Sequence, residues 1–218
     1  MTPLGAAAAD EAVDPALARA LLGFAPPGVL VAHRLILCGD DDTLLPEEAA
    51  TMTVAQPARR RASGAARLIA RELLSRLGCA PGPLPKTAAG APLWPRGVVG
   101  SLAHDDRVAL AAVARQRDVS GLGIDVEPAT ALPAELLDLV ATPREQRRLG
   151  GDLRQARLLF AAKEAVYKAL HPRDGVFLEF HEIEVDLAAA EATVRSGSTC
   201  RLRFCRAAHF VALALVVP

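Results

Sequence analysis

Residues 123–128 read GIDVEP, two acids one residue apart in a short apolar run, with Gly before and Pro after. In a strand, alternate side chains share a face. Asp125 and Glu127 therefore point one way while Ile124 and Val126 point the other, into a core. The chain must accordingly fold with a strand that is apolar on one face and doubly acidic on the other. Two carboxylates with Cα atoms about 7 Å apart, from the strand rise, repel unless positive charge lies between them. A divalent cation is the simplest partner, and the segment alone does not establish it.

The composition supports a folded chain around that strand. Of 218 residues, 51% are hydrophobic and only 4% aromatic, so Ala, Leu and Val must supply most of the packing. Net charge is zero, but the signs are segregated. Residues 1–56 hold two basic and eight acidic side chains, and residues 57–107 hold nine basic and three acidic. A basic middle implies an anionic ligand or partner there. Cys38, Cys79, Cys200 and Cys205 form no CxxC pair and have no His at zinc-finger spacing, so they read as free thiols of a reducing compartment. The N-terminus lacks the basic start of a secretory signal, and no run reaches the ~18 apolar residues of a membrane span. The expectation is a soluble, cytoplasmic protein.

The patterning predicts a helix around PALARALLGF (15–24), a buried strand over 28–37, a helix start at Pro46 and a helix over about 60–77 closed by Gly78. Residues 79–97, rich in Pro and Gly, read as loop. Strands are expected at 98–103, 108–115 and 118–127, then helices at 133–140 and 143–170, the latter interrupted at Gly150-Gly151. Strands return at 182–187, 199–206 and 209–217. This order predicts an α+β fold of two similar halves, residues 1–117 and 118–218. The alternative is one mixed sheet with helices on a single face.

Three further stretches carry candidate chemistry. FAAKEAVYKAL (160–170) on a helix puts Phe160, Lys163, Glu164 and Tyr167 within one arc, with Lys168 a turn beyond Glu164. Taken alone, Glu164 and Lys168 form an ordinary surface ion pair worth about 0.3–0.5 kcal/mol. GSLAHDD (100–106) ends a strand at His104, which by itself is most simply a turn residue. The basic helix supplies Arg59, Arg60, Arg61, Arg67 and Arg71, each ordinarily solvated. Together, three acids from a strand and a helix suit a hard cation, and Lys and Arg nearby suit phosphate oxygens.

GIDVEP, followed about 35 residues later by FAAKEAVYK, resembles the signature of 4′-phosphopantetheinyl transferases. The resemblance is to the monomeric surfactin-synthetase-activator type, and within it to the siderophore branch, the enterobactin synthetase component D group. The Arg-rich helix ending in LG, GAPLWPRGVVGSLAH (90–104) and HPRDGVFLEF (171–180) extend it over roughly residues 44–186.

The resemblance implies transfer of the phosphopantetheine arm of coenzyme A to a serine of an apo acyl- or peptidyl-carrier protein, releasing adenosine 3′,5′-bisphosphate. It implies an active site in the seam between the halves, the N-terminal half holding the nucleotide and 3′-phosphate, the C-terminal half the metal and the catalytic helix. It assigns Asp125, Glu127 and Glu164 to Mg²⁺, with Mn²⁺ expected to substitute, and Asp125 also to the coenzyme. Glu164 is then the candidate base, directly or through a water. Lys168 stabilises or protonates the leaving phosphate, and Lys163 contacts the diphosphate or braces Glu164. Arg59, Arg67, Lys86, Ala103 and His104 match the family's coenzyme contacts, with Arg60 or Arg61 as alternatives to Arg59.

Two departures stand out. Ala103 replaces a Ser or Thr, leaving only its backbone N–H, and Phe160 replaces the Trp of the wider family. Val126 cannot be a metal ligand, so water or a main-chain oxygen would fill that position. Arg144, Arg147 and Arg148 are candidates for meeting an acidic carrier helix. The expected partners exclude nucleic acid and membrane, and the expected state is a monomer, acting in a siderophore or other nonribosomal peptide or polyketide pathway. The competing readings are a Mg²⁺-dependent nucleotide hydrolase, which the missing P-loop disfavours, and a non-catalytic coenzyme A-binding or carrier-docking module.

Overall fold

A computed structural model describes residues 12–52 and 56–216. The apolar and acidic start before residue 12 and the strand reading at 217 lie outside them. In chain order the regular elements are α1 (Pro15–Ala20), β1 (Val29–Leu35), α2 (Pro46–Ala50), α3 (Pro57–Arg76), β2 (Val98–His104), β3 (Val108–Arg115) and β4 (Gly121–Pro128). Then follow α4 (Leu137–Val140), α5 (Pro143–Leu149), α6 (Leu153–Asp174), β5 (Ile183–Asp186), β6 (Glu191–Val194), β7 (Thr199–Arg206) and β8 (His209–Val216).

The helix ends follow from local chemistry. Asp14 and Asp152 cap α1 and α6, each side chain accepting two backbone N–H bonds. Pro57 opens α3, where a missing N–H costs nothing. The interruption expected at Gly150-Gly151 is present: Gly150 ends α5 in the left-handed conformation, and the chain restarts at Leu153. Helix α6 runs past the expected end at 170 and carries Pro172 in its last turn, before Gly175 closes it.

Among the described residues, strands pair only in antiparallel fashion, in a three-stranded sheet of order β1-β3-β2 and a five-stranded sheet of order β4-β8-β7-β6-β5. The α+β expectation holds, and the single mixed sheet does not. Each sheet carries one long helix, and the two sheets face each other. Alternation shows this on β3: Val108, Leu110, Ala112 and Ala114 enter the layer between the sheets, while Ala109, Ala111 and Val113 pack under α3. On β8, Val211, Leu213 and Leu215 enter the same middle layer, and Ala212, Ala214 and Val216 meet α6. The layers are thus helix, sheet, sheet, helix, with few aromatics in the cores. Among the described residues, no helix is long and apolar enough to cross a membrane.

Candidate active site

The acidic strand β4 is built for a close helix. Ile124 and Val126 are buried between the sheets, while Gly121, Gly123, Asp125 and Glu127 face α6. A Cβ on Gly123 would stand 1.9 Å from the Ala165 carbonyl oxygen, and one on Gly121 2.5 Å from that of Ala169. Only glycine lets the helix backbone lie this near the strand. One pleat further along, side-chain length returns as carboxylates.

Helix α6 answers those carboxylates with cations. Lys168 Nζ donates to Asp125 Oδ1 at 2.6 Å, and Arg157 Nη1 to Glu127 Oε2 at 2.9 Å. The surface pair expected between Glu164 and Lys168 is replaced by this reach to the strand. Asp125 Oδ2 is buried with no hydrogen-bond partner among the described residues. Burial raises the Asp125 carboxyl against the pull of Lys168. Burial, then the Asp125 charge, pushes Glu127 up to about 7, and the same two causes raise Glu164.

Glu127 and Glu164 therefore each sense Asp125 in a poorly hydrated place, where one Asp125 oxygen has no hydrogen-bond partner among the described residues. An all-oxygen donor set of this kind fits a hard divalent cation. As placed, Lys168 and Arg157 neutralise the strand acids, and no three His, Cys, Asp or Glu among the described residues stand within reach of one ion.

Beside the acids lies an anion pocket. A cavity of about 300 Å³ is lined by Arg67, Lys86, Trp94 and His104 from the N-terminal half and Tyr167 and Lys168 from α6. Arg67 is 2% exposed, its Nε donating to the Leu84 carbonyl and its Nη1 to Ser63 Oγ, while Nη2 is buried with no hydrogen-bond partner among the described residues. Arg67 thereby brings a fixed positive charge to the cavity lining. Lys86 is lowered by desolvation and then by the charges of Arg67 and Arg59. His104 is lowered by desolvation and then by Lys168. Lys86, Arg67 and Arg59 repel one another, and a phosphate would relieve the repulsion. The loop that carries Lys86 is held by Glu48, which accepts from Leu84 N, and by Thr51, which accepts from Lys86 N. Arg59 and Arg61 line an adjoining cavity of about 790 Å³ that shares His104.

Two sequence candidates fall outside this arrangement. Lys163 is fully buried on the far side of α6, donating to Glu145 Oε2 at 2.6 Å and to the Val140 and Phe180 carbonyls at 2.8 Å each. All three of its N–H donors are spent there, so it neither meets a diphosphate in the cavity nor braces Glu164. Its role is to pin α6 to α5 and the segment before β5. Ala103 packs between the sheets, and the β2–β3 register makes Ala103 and Leu110 a hydrogen-bonded pair. Its N–H therefore points into the hairpin and is not free for phosphate.

Arg71 is also structural, doubly bonded to Glu48. Arg144 and Arg148 sit in ion pairs with Glu184 and Asp186, at 3.8 and 3.3 Å. Arg157, which the sequence reading passed over, lies two helical turns before Glu164; that spacing was the available signal.

Carboxylates of β4 and α6, beside a cavity lined by basic side chains from both halves, give an α+β protein a site whose chemistry suits a phosphorylated ligand. Residues 47–114 match the family model of the 4′-phosphopantetheinyl transferase N-terminal domain, and residues 121–214 that of the 4′-phosphopantetheinyl transferase superfamily. The chain is 43% identical over 180 residues to the 4′-phosphopantetheinyl transferase Svp of Streptomyces mobaraensis, spanning 78% of this chain and 73% of that protein. It is 39% identical over 147 residues to the 4′-phosphopantetheinyl transferase PptT of Mycobacterium tuberculosis, 66% of this chain and 65% of that one. Identity to enterobactin synthase component D of Escherichia coli K12 is 38% over 100 residues, 42% of this chain and 46% of that protein. The chain belongs to the 4′-phosphopantetheinyl transferase superfamily and is an enzyme.

Proposed function

We propose that the chain moves the 4′-phosphopantetheine arm of coenzyme A onto a serine of an apo acyl- or peptidyl-carrier protein and releases adenosine 3′,5′-bisphosphate. The observation that carries this reading is Lys168, which bonds Asp125 on the acid side while lining the cavity that holds Arg67, Lys86 and His104. One side chain thus joins the seat for a cation to the seat for phosphates. We place the active site in that seam, with residues 1–117 holding the nucleotide end and residues 118–218 the acids and the catalytic helix.

Asp125, Glu127 and Glu164 would hold Mg²⁺, or Mn²⁺ in its place. When bound, the ion supplies charge neutralisation on the coenzyme's diphosphate and on the departing bisphosphate. Arg67, Lys86 and His104, with Arg59 from the adjoining cavity, fix the phosphates and orient the β-phosphorus. The carrier serine oxygen forms the new P–O bond as the bond from that phosphorus to the bridging oxygen breaks. Glu164 takes the serine proton, directly or through a water. Its raised pKa makes it a stronger base when ionised than an exposed glutamate. Lys168 stabilises the leaving phosphate.

By its similarity to the enterobactin component, we place the carrier in a siderophore or related peptide or polyketide pathway. We read the enzyme as a cytoplasmic monomer.

Intact mass measurement of an apo carrier, incubated with the protein, coenzyme A and Mg²⁺, tests the proposal. The carrier should gain one phosphopantetheine arm, and a chelator should abolish the gain. Coenzyme A binding without any gain across several carriers would support a docking module instead. Phosphate release from a nucleotide without a carrier would support a hydrolase.

A further inference from the structure

One buried side-chain hydrogen bond crosses between the two sheets close to the cavity. His209, which opens β8 opposite Pro128 at the end of β4, is 3% exposed, and its Nε2 lies 3.1 Å from Asp105 Oδ2. A carboxylate only accepts, so Nε2–H donates. The other oxygen of Asp105 accepts the N–H groups of Arg107 and Val108 at 2.7 and 2.8 Å, and Asp105 N donates to the Val108 carbonyl. Asp105 thereby closes the β2–β3 turn with one oxygen and ties it to the opposite sheet with the other.

Around this pair the sheets meet through Ala103, Val108, Val126 and Val211, whose contacts are non-directional. They resist separation but do not fix the turn to the accuracy a phosphate contact needs. A directed hydrogen bond does. The burial is costly for His209, since its Nδ1 has no partner among the described residues. His104 is the residue next to Asp105, and the Asp105 charge reaches His104 on one side and Asp125 and Glu127 on the other.

We propose that His209 is a positioning residue: through Asp105 it holds the β2–β3 turn on the C-terminal sheet and so sets His104 on the 3′-phosphate of coenzyme A. The proposal rests on the coenzyme A reading above. Its signature is selective, because a lost 3′-phosphate contact weakens coenzyme A but not 3′-dephospho-coenzyme A.

Calorimetric titration of both ligands, in the presence of Mg²⁺, reads the ratio of their affinities. In the unaltered protein coenzyme A should bind tighter. In His209→Leu the ratio should fall about tenfold, the size of one charge-assisted hydrogen bond. His209→Gln, which keeps a donor, should recover part of it. Asp105→Asn should lower it as well, because its amide N–H would oppose Nε2 and drive the imidazole proton to Nδ1, where no acceptor waits. Should His209→Leu not fold, the Asn and Gln variants carry the comparison.

A ratio unchanged in the folded variants, with both ligands weakened alike or thermal stability alone reduced, would overturn the positioning role. No preference for coenzyme A in the unaltered protein would instead defeat the coenzyme reading, and this inference with it.

Discussion

Lys163 and Lys168 lie five residues apart on one helix and do opposite things. Lys163 is sealed with Glu145 away from solvent, whereas Lys168 is part-exposed at the cavity wall. Removing one member of a sealed pair strands the other charge, at about 3–5 kcal/mol. Lys163→Met should therefore lower unfolding free energy by that order in urea titration, and the double change Lys163→Met, Glu145→Leu should restore much of it. Lys168→Ala should cost less unfolding free energy than Lys163→Met, because Lys168 is part-exposed, and lose carrier modification by a hundredfold or more, as the mass assay reads it. Stability loss at Lys168 with activity kept would contradict the assignment.

The cysteines divide in the same way. Cys38 is exposed, while Cys200 is buried and pushed up to about 11 by desolvation. Iodoacetamide at pH 8 should label Cys38 in the native protein and reach Cys200 only after denaturation.

At the scale of elements, the approach of α6 to β4 sets the site. Gly123→Ala would drive a methyl group into the Ala165 carbonyl, so the helix must retreat. The expected cost is about 1–3 kcal/mol or more, seen in thermal unfolding, together with weaker Mg²⁺-dependent coenzyme A binding as Glu164 and Lys168 move from Asp125. An unchanged melting temperature and unchanged binding would contradict the close-approach account.

The glycines and acids of GLGIDVEP were legible as a patterned strand, because period two is a local property. So were α3, closed by Gly78, and α6, after the interruption at Gly150-Gly151. Strand β6 was not, since Glu191–Val194 is four residues long and carries only two buried side chains. Nor was the sealing of Lys163: its helical arc matched that of Glu164, and only the packing of α5 and the Phe180 carbonyl against that side decided the matter. Ala103 was misread for a similar reason, because strand register, which no single strand announces, fixes where an N–H points.

At the scale of the molecule, two antiparallel sheets face each other, and the acids of β4 lie beside the cavity lined by Arg67, Lys86, His104 and Lys168. Two similar halves were legible in the order of elements, and a basic stretch between 57 and 107 in the charge. Their facing geometry was not, because it depends on which side of β3 and β8 each apolar residue takes.

In the proposed enzyme, Asp125, Glu127 and Glu164 share one ion with the coenzyme's diphosphate. Diffraction at the manganese edge from crystals grown with coenzyme A and Mn²⁺ measures it directly. One anomalous peak should appear, touched by oxygens of all three carboxylates and of the diphosphate, with Lys168 withdrawn from Asp125 towards phosphate. A peak seated elsewhere, or Lys168 still bonded to Asp125 with the diphosphate bound, would contradict it.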